Sequence, residues 1–349
     1  MSVRRELVLV RRGDLARAFE MRESPLPLPA ENEVRVAVET SGVNFADVMT
    51  RLGLYQDAPR IPFVPGFDVA GRVDAVGAGV RSVSPGMRVV AMTRFGGYAT
   101  HVLAKETGLA PIPEDYDTVA ATALGTQYVT AWYAAREMVR LHPGDRVLIH
   151  SAAGGVGTAL VQIAHMEKCT VVGTTGSARK LKHLESLGVD YPLLVEGTDI
   201  ESSYRRALGD RRPDVIFDPI GGTMSRSGFK LLGAGGRLVC YGVSRMVGMN
   251  RNLLRSVRAV VGFGFPHPVV MMIHSKAIIG INLLRVGDER PEVLHRCLKA
   301  AVEEAVAGRL RPVTFGAFPA HEVARVHRMI MQRETVGKVA LSWVDGPVI

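Results

Sequence analysis

The run Ser151-Ala152-Ala153-Gly154-Gly155-Val156-Gly157 constrains this chain more than any other. It stands between an apolar segment, Arg146 to His150, and a stretch of helical periodicity, Val156 to Lys168; a second apolar run, Thr170 to Gly173, follows. Small residues at a strand-to-helix junction permit a tight turn, let the backbone approach a pyrophosphate and let the helix pack closely on its strand. The helix N-terminus then offers unpaired N–H groups and a partial positive charge to phosphates. Ala152 stands where the first glycine of a dinucleotide fingerprint falls, with Gly154 and Gly157 at the later positions. A plain glycine-rich turn would look similar in isolation. The strand before, the helix after and the second run on schedule favour a dinucleotide site built on Ala153, Gly154, Gly155 and Val156.

The end of that second run decides which dinucleotide. An NAD site places an Asp or Glu there, about 20 residues past the loop, to hold the ribose 2′-hydroxyl. This chain has Thr174-Thr175-Gly176-Ser177-Ala178-Arg179-Lys180 and no acid until Glu185. Hydroxyls and cations receive a 2′-phosphate where a carboxylate would repel it. The expected cofactor is NADPH, with Gly176, Ser177, Arg179 and Lys180 around its phosphate. The other reading of Arg179 and Lys180 is an ordinary basic first turn of a helix.

Around this centre the chain falls into three stretches. Residues 1 to about 122 read as short strands split by turns, with Val34 to Glu39 alternating apolar and polar. From about 124 to 265 apolar runs alternate with helical segments, the pattern of βαβ units on a parallel sheet; Asp214 to Asp218 and Gly236 to Tyr241 are further strands. The last stretch carries a helical segment, Glu292 to Gly308, and a closing strand, Gly337 to Trp343. The expected organisation is one domain, residues 1–123 and 266–349, interrupted by an α/β domain at 124–265.

Composition narrows the function classes. At 349 residues and 47% hydrophobic, the chain has material for two buried cores. Its charge of +9 is spread along the sequence, and aromatics are only 6%, so it lacks the interleaved basic and aromatic face of a nucleic-acid binder. Three cysteines, Cys169, Cys240 and Cys297, lie too far apart for a thiolate metal cluster or a disulfide framework. The N-terminal residues carry no signal-like apolar segment, and Val269 to Val286 is interrupted by His274, Lys276 and Asn282. A cytoplasmic location is expected.

Several segments together carry a family likeness: Gly42-Val43-Asn44-Phe45-Ala46-Asp47, Arg51 to Tyr55, Pro62 to Gly66, Gly71 to Val80, Thr130-Ala131-Trp132, the glycine loop, Asp218 with Gly221-Gly222, and Gly337-Lys338-Val339. Over nearly its whole length the chain resembles the medium-chain dehydrogenase/reductases, and within them the zinc-independent quinone oxidoreductases. The vesicle amine transport protein-like branch is indicated by Asn44 to Asp47, Arg251 to Leu254 and Gly280 to Leu283. The resemblance implies an α/β fold with a GroES-like β-barrel domain and a Rossmann doubly wound parallel-sheet domain. Zinc-dependent relatives carry Gly-His-Glu where this chain has Gly66-Phe67-Asp68. Phe cannot ligate a metal and one Asp is too few for a catalytic site, so no metal is expected.

The resemblance also implies roles. Asn44 is expected near the nicotinamide, positioning the cofactor and an acceptor oxygen. Asp47 and Tyr55 are weaker catalytic candidates, Asp47 being equally suited to cap a helix. Thr130, Tyr241 and Ser244 match positions that line the cofactor. Met49 and Val195-Glu196 depart from the pattern, since many quinone reductases carry tyrosines there. Hydride transfer to a quinone or α,β-unsaturated carbonyl is the expected reaction, by a homodimer acting on a small molecule. The alternatives are an enoyl-thioester reductase, or an NADPH-binding interaction protein whose apolar, basic 243–290 segment meets a partner or membrane surface. A lid or subunit interface is the preferred reading of that segment.

Overall fold

The computed structural model describes residues 3–195, 197, 199–244 and 267–344. They form two compact units with boundaries at Thr130/Ala131 and Asn282/Leu283; the first unit is made of both ends of the chain, the second of its middle.

In the first unit, β1 (Val3–Leu9) and β2 (Phe19–Pro25) form a hairpin-like pair. A larger sheet holds β3 (Glu33–Val43), β4 (Asp68–Val76), β5 (Arg88–Met92), β6 (His101–Lys105), β7 (Leu109–Pro111), β14 (Thr314–Pro319) and β15 (Lys338–Ser342). Its order is β14-β15-β3-β4-β5-β7, with β6 on β3, and its pairs are antiparallel except β14 with β15. The alternation read at Val34 to Glu39 is the burial pattern of β3: Val34, Val36 and Val38 are buried and their neighbours are half-exposed. These valines meet Val69, Val73, Val89, Val102 and Val339 in one core. Complete burial of each such side chain contributes about 1.5–3 kcal/mol. The register of β3 shifts at Arg35/Val36 and at Val38/Thr40, bending the strand so that its first half pairs with β6 and its second half with β15.

The second unit is a parallel sheet of β8 (Arg146–Ile149), β9 (Thr170–Thr175), β10 (Tyr191–Leu194), β11 (Val215–Asp218), β12 (Arg237–Cys240) and β13 (Ala277–Gly280). The order β10-β9-β8-β11-β12-β13 is that of a doubly wound Rossmann sheet, reversing direction between β8 and β11. Helices Gly155–Met166, Leu181–Ser186, Ile200–Leu208 and Thr223–Leu231 connect successive strands. Leu148, Val172, Ile216 and Leu238 carry the sheet's contribution to a core shared with Tyr204 and Leu231.

The boundaries differ from those expected at 123/124 and 265/266. Residues 277–280 belong to the α/β unit because they add a sixth strand, pairing Arg237 with Ala277 through Cys240 with Gly280. Four residues are too short a run to stand out as a strand amid the broken apolar stretch 269–286. Residues 245–266, which include Arg251 to Leu254, and Glu196 lie outside the described residues.

Candidate functional site

In the α/β unit the site begins where β8 ends. Ser151 turns the chain with φ +54, and the Ala152 N–H donates to Thr174 O at 2.9 Å, tying the loop to β9. Gly154 is the extended N-cap of the helix Gly155–Met166, and its carbonyl receives the Thr158 N–H at 2.8 Å. A Cβ on Gly157 would lie 2.4 Å from Ser151 O and 2.7 Å from the Ala152 Cα, both backbone atoms. That glycine is therefore demanded by packing of the first helical turn on the loop. Ala152, the departure from the fingerprint, is wholly buried, and room for its methyl comes from Gly173 on β9, whose own Cβ would sit 3.1 Å from it. Ala153 is buried, while Gly154, Gly155 and Val156 are half-exposed at the helix start.

At the end of β9, the Thr175 hydroxyl accepts the Ser177 N–H at 3.2 Å and shapes the turn into the short helix Ala178–Lys180. Gly176 and Arg179 are exposed, and Ser177 and Lys180 half-buried. The backbone N–H of Tyr241 donates to Asp218 O, and that of Ser244 to Pro219 O. Asp218 is buried, accepting from Ile220 N, Gly221 N and the Ser225 hydroxyl. Burial, reinforced by Asp218, raises the Tyr241 hydroxyl far above its usual pKa, so it keeps its proton at neutral pH. All the cofactor candidates except Asn44 and Thr130 thus collect at the carboxyl ends of β8, β9, β11 and β12, at the switch point of the sheet. Backbone at the loop, a 12-residue helix opening on it, and Arg179 and Lys180 in a run that carries no acid from 174 to 184 fit a phosphorylated dinucleotide.

The first unit holds a different construction. Asn44 precedes the helix Phe45–Leu52, and Asp47 in its first turn accepts the Asn44 N–H at 2.8 Å through one oxygen and the Gly66 N–H at 3.1 Å through the other. Asp47 is therefore the helix cap that its position allows. Burial lifts its pKa to about 7 against the two backbone donors, and Asp68 adds to the rise. The Asn44 side chain faces Asp68 and Lys338: its Nδ2 donates to Asp68 Oδ2 at 2.6 Å, and its Oδ1 accepts from Lys338 Nζ at 2.9 Å. Lys338 also donates to Asp68 Oδ1 at 2.7 Å, and both side chains are wholly buried. Burial lowers the Lys338 pKa, and the neighbouring Asp68 opposes the fall. Gly42 on β3 makes the space: a Cβ there would lie 1.7 Å from Asp68 Oδ1 and 2.4 Å from Lys338 Cε.

Tyr55 stands among aromatics, 5.6 Å from the Phe67 ring, which is 5.0 Å from Phe95, itself 5.5 Å from Phe63. Phe95 holds φ +84, a conformation that costs a bulky residue about 1–3 kcal/mol. Burial and then Asp57 and Asp47 push the Tyr55 hydroxyl up to about 12, so it remains a hydrogen-bond donor at neutral pH. Thr130 is buried and spends its hydroxyl on Thr126 O at 2.6 Å, one turn back. Lys338 was not foreseen as part of a site. Its signal is a lone lysine opening a strand of otherwise small and apolar residues, Val339 to Leu341, opposite an unexplained strand glycine, Gly42.

A zinc ion does not fit the Gly66-Phe67-Asp68 segment. Phe67 is packed between aromatic rings, and both Asp68 oxygens are engaged by Lys338 and Asn44. Among the described residues no three His, Cys, Asp or Glu side chains gather as a metal site, and no helix is long and apolar enough to cross a membrane.

Comparison with known proteins accords with these features. A family model for the alcohol dehydrogenase GroES-like domain matches residues 30–114, and one for zinc-binding dehydrogenase matches residues 155–299. The synaptic vesicle membrane protein VAT-1 homolog of Rattus norvegicus is 32% identical over 331 residues, 94% of this chain and 81% of that protein. The quinone oxidoreductase of Rattus norvegicus is 30% identical over 318 residues, 90% of this chain and 91% of that protein. Among solved structures, a human VAT-1 homolog-like protein aligns with TM-score 0.85 at 25% identity, over 99% of this chain and 100% of that one. A mycobacterial protein, Rv1454c, complexed with NADPH, and the CurK enoyl reductase each align with TM-score 0.83 at 25% identity, over 97% of this chain and 99% of theirs. The chain belongs to the medium-chain dehydrogenase/reductase superfamily, with VAT-1 homologues and quinone oxidoreductases as its relatives. It is an oxidoreductase, with a GroES-like unit and a Rossmann unit.

Proposed function

We propose that the protein is a zinc-independent, NADPH-dependent reductase of quinones or α,β-unsaturated carbonyls. The observation that carries this reading is the glycine loop opening on a helix N-terminus, with Ser177, Arg179 and Lys180, and no acid, at the end of the neighbouring strand. The backbone at 153–156 would hold the pyrophosphate and the two cations the 2′-phosphate; Tyr241, Ser244 and Thr130 would line the remainder. When bound, NADPH supplies a hydride. Quinones and enones accept it without a Lewis acid because the anion formed is delocalised and weakly basic, so the protein's task is orientation, water exclusion and hydrogen bonding. Asn44 is the first choice for orienting cofactor and acceptor. Tyr55, protonated at neutral pH, donates to an acceptor oxygen, and its Phe67 and Phe95 neighbours offer flat apolar contact. Asp47 acts on this site as the cap that sets the Asn44 backbone.

Titration with NADPH and NADH, followed by oxidation rates with 1,4-naphthoquinone and crotonyl thioesters, tests the reading. NADPH should bind at least about tenfold tighter; equal affinity for NADH discards the role of Arg179 and Lys180. Turnover of the thioester alone would move the assignment to enoyl-thioester reduction, a reading favoured by the similarity to an enoyl reductase. Inactivity on both substrates would leave a cofactor-binding interaction protein.

A homodimer is part of the proposal. Strand β13 pairs only with β12 among the described residues, and the helix Pro268–His274 before it exposes Met272 at 78%, Ile273 at 72% and Val269 at 51%. An unpaired edge beside exposed apolar side chains is covered by pairing with a second copy. Light scattering that returned a monomer mass at micromolar concentration would remove this part.

A further inference from the structure

The proposed chemistry gives Lys338 no task, yet among the described residues Lys338 and Asp68 are the only lysine and one of two carboxylates enclosed beside Asn44. Burying an ion pair is poor evidence of a stabilising purpose, since desolvation offsets most of the attraction and an apolar pair of equal volume often serves stability as well. What the pair does to Asn44 is more specific. An amide has two N–H donors and two oxygen lone pairs. The pair takes one of each, the carboxylate receiving Nδ2–H and the ammonium donating to Oδ1. A flipped amide would set its N–H groups against the ammonium and its oxygen against the carboxylate, so a single orientation is enforced. Donation from Lys338 to Oδ1 also draws electron density from the amide and strengthens the remaining N–H as a donor.

The three partners come from β3's end, the start of β4 and the start of β15, all fixed by antiparallel pairing: Ser41 lies opposite Val69, and Val339 opposite Val43. The Asn44 backbone is thus set by its helix cap, and its amide by partners on paired strands distant in sequence. Gly42 admits the arrangement and no side chain larger than hydrogen.

We propose that the Lys338–Asp68 pair is a positioning device: it fixes and polarises the Asn44 amide, and Lys338 acts on hydride transfer through Asn44 without touching substrate. The proposal rests on the reductase reading and on Asn44 facing the reacting groups. The test compares the full chain with a double variant, Asp68→Asn with Lys338→Met, which removes both charges but keeps volume and an acceptor for Asn44 Nδ2. Thermal melting, NADPH affinity by fluorescence, and kcat and KM with 1,4-naphthoquinone are measured on each. The double variant should melt close to wild type, bind NADPH within about threefold, and lose about 100-fold in kcat, as expected when a reacting group is misplaced by about 1 Å. A purely structural pair would show the reverse, with stability moved and kcat kept.

If the double variant does not fold, Asp68→Glu gives the decision by the same readouts. It keeps the ion pair but lengthens one arm by a methylene, and an undiminished kcat overturns the proposal. A folded double variant with wild-type kcat overturns it equally, while leaving the reductase reading intact. Asn44→Ala separates the two levels. If that variant is as active as wild type, the assignment of Asn44 fails, and the role of Lys338 with it. If wild type oxidises no NADPH with any acceptor, the reductase reading itself fails.

Discussion

At residues 152–157 the protein presents backbone and small side chains, and at Gly157 it has room for none. Around Asn44 it does the opposite, enclosing an amide, a carboxylate and an ammonium from three strands, with room made at Gly42 and Gly125. The first arrangement takes its charge from a helix N-terminus, a dipole that is present whenever the helix is formed. The second takes its charge from full ions whose energies depend on one another, so it is rigid only while every partner is present. A site for a phosphate backbone tolerates variation in its residues provided they are small. A site that orients one amide tolerates almost none.

Single substitutions should break this contrast in order of size. Lys338→Met alone leaves Asp68 as an uncompensated buried charge and should cost about 3–5 kcal/mol in urea unfolding, far more than the double variant. Equal losses in the two would show that the ions do not act as a unit.

The pH dependence of Asp47 comes next. Its pKa rises on folding from 3.8 to about 7, so the folded state holds its proton more tightly than the unfolded one. Its contribution to stability is complete below about 4 and is lost as pH rises to about 7, an effect on the order of a few kcal/mol. Asp47→Asn should flatten that slope in melts taken from pH 4 to 8. A slope unchanged by the substitution would assign the dependence to another group.

In the glycine loop, Gly157→Ala should cost about 1–3 kcal/mol through overpacking and weaken NADPH binding in the same protein. Gly154→Ala, whose Cβ would come no closer than 3.2 Å to Ser151 O, should be milder on both measures. The smallest effect belongs to Lys180→Ala, a loss of about 0.5–1 kcal/mol in NADPH affinity, as for a partly exposed ion pair, with NADH binding unchanged. A parallel loss for both cofactors would move Lys180 away from the 2′-phosphate.

The same contrast explains what the sequence makes legible. The glycine loop, its strand and its helix are contiguous, so composition and spacing reveal them together. The strands at 146–149, 215–218 and 237–240 and the helices at 155–166 and 291–306 show in the same way. The knot around Asn44 joins positions 44, 68 and 338, and no local pattern links them. Asp68 reads as a failed metal ligand until Lys338 is placed against it. Strand β13 escapes for a related reason: four residues of ordinary apolarity become a strand only because β12 offers an edge. Asp47, poised between cap and catalytic group in the sequence, caps its helix and also accepts from Gly66, nineteen residues away, a second donor that no local pattern reveals.

One pairing in the larger sheet joins residues that are made far apart in time. β15 lies between β14 and β3, and it brings Lys338 to Asp68 and Asn44 across nearly the whole chain. A nascent chain still short of residue 338 contains the entire Rossmann sheet, every strand of which falls between 146 and 280, and that unit can assemble during synthesis. The other unit can pair β3 with β4 and β6, but Thr40 to Val43 must wait for β15, and Asp68 for its cation. The second half of β3 is therefore completed only after about three hundred further residues have been joined to it.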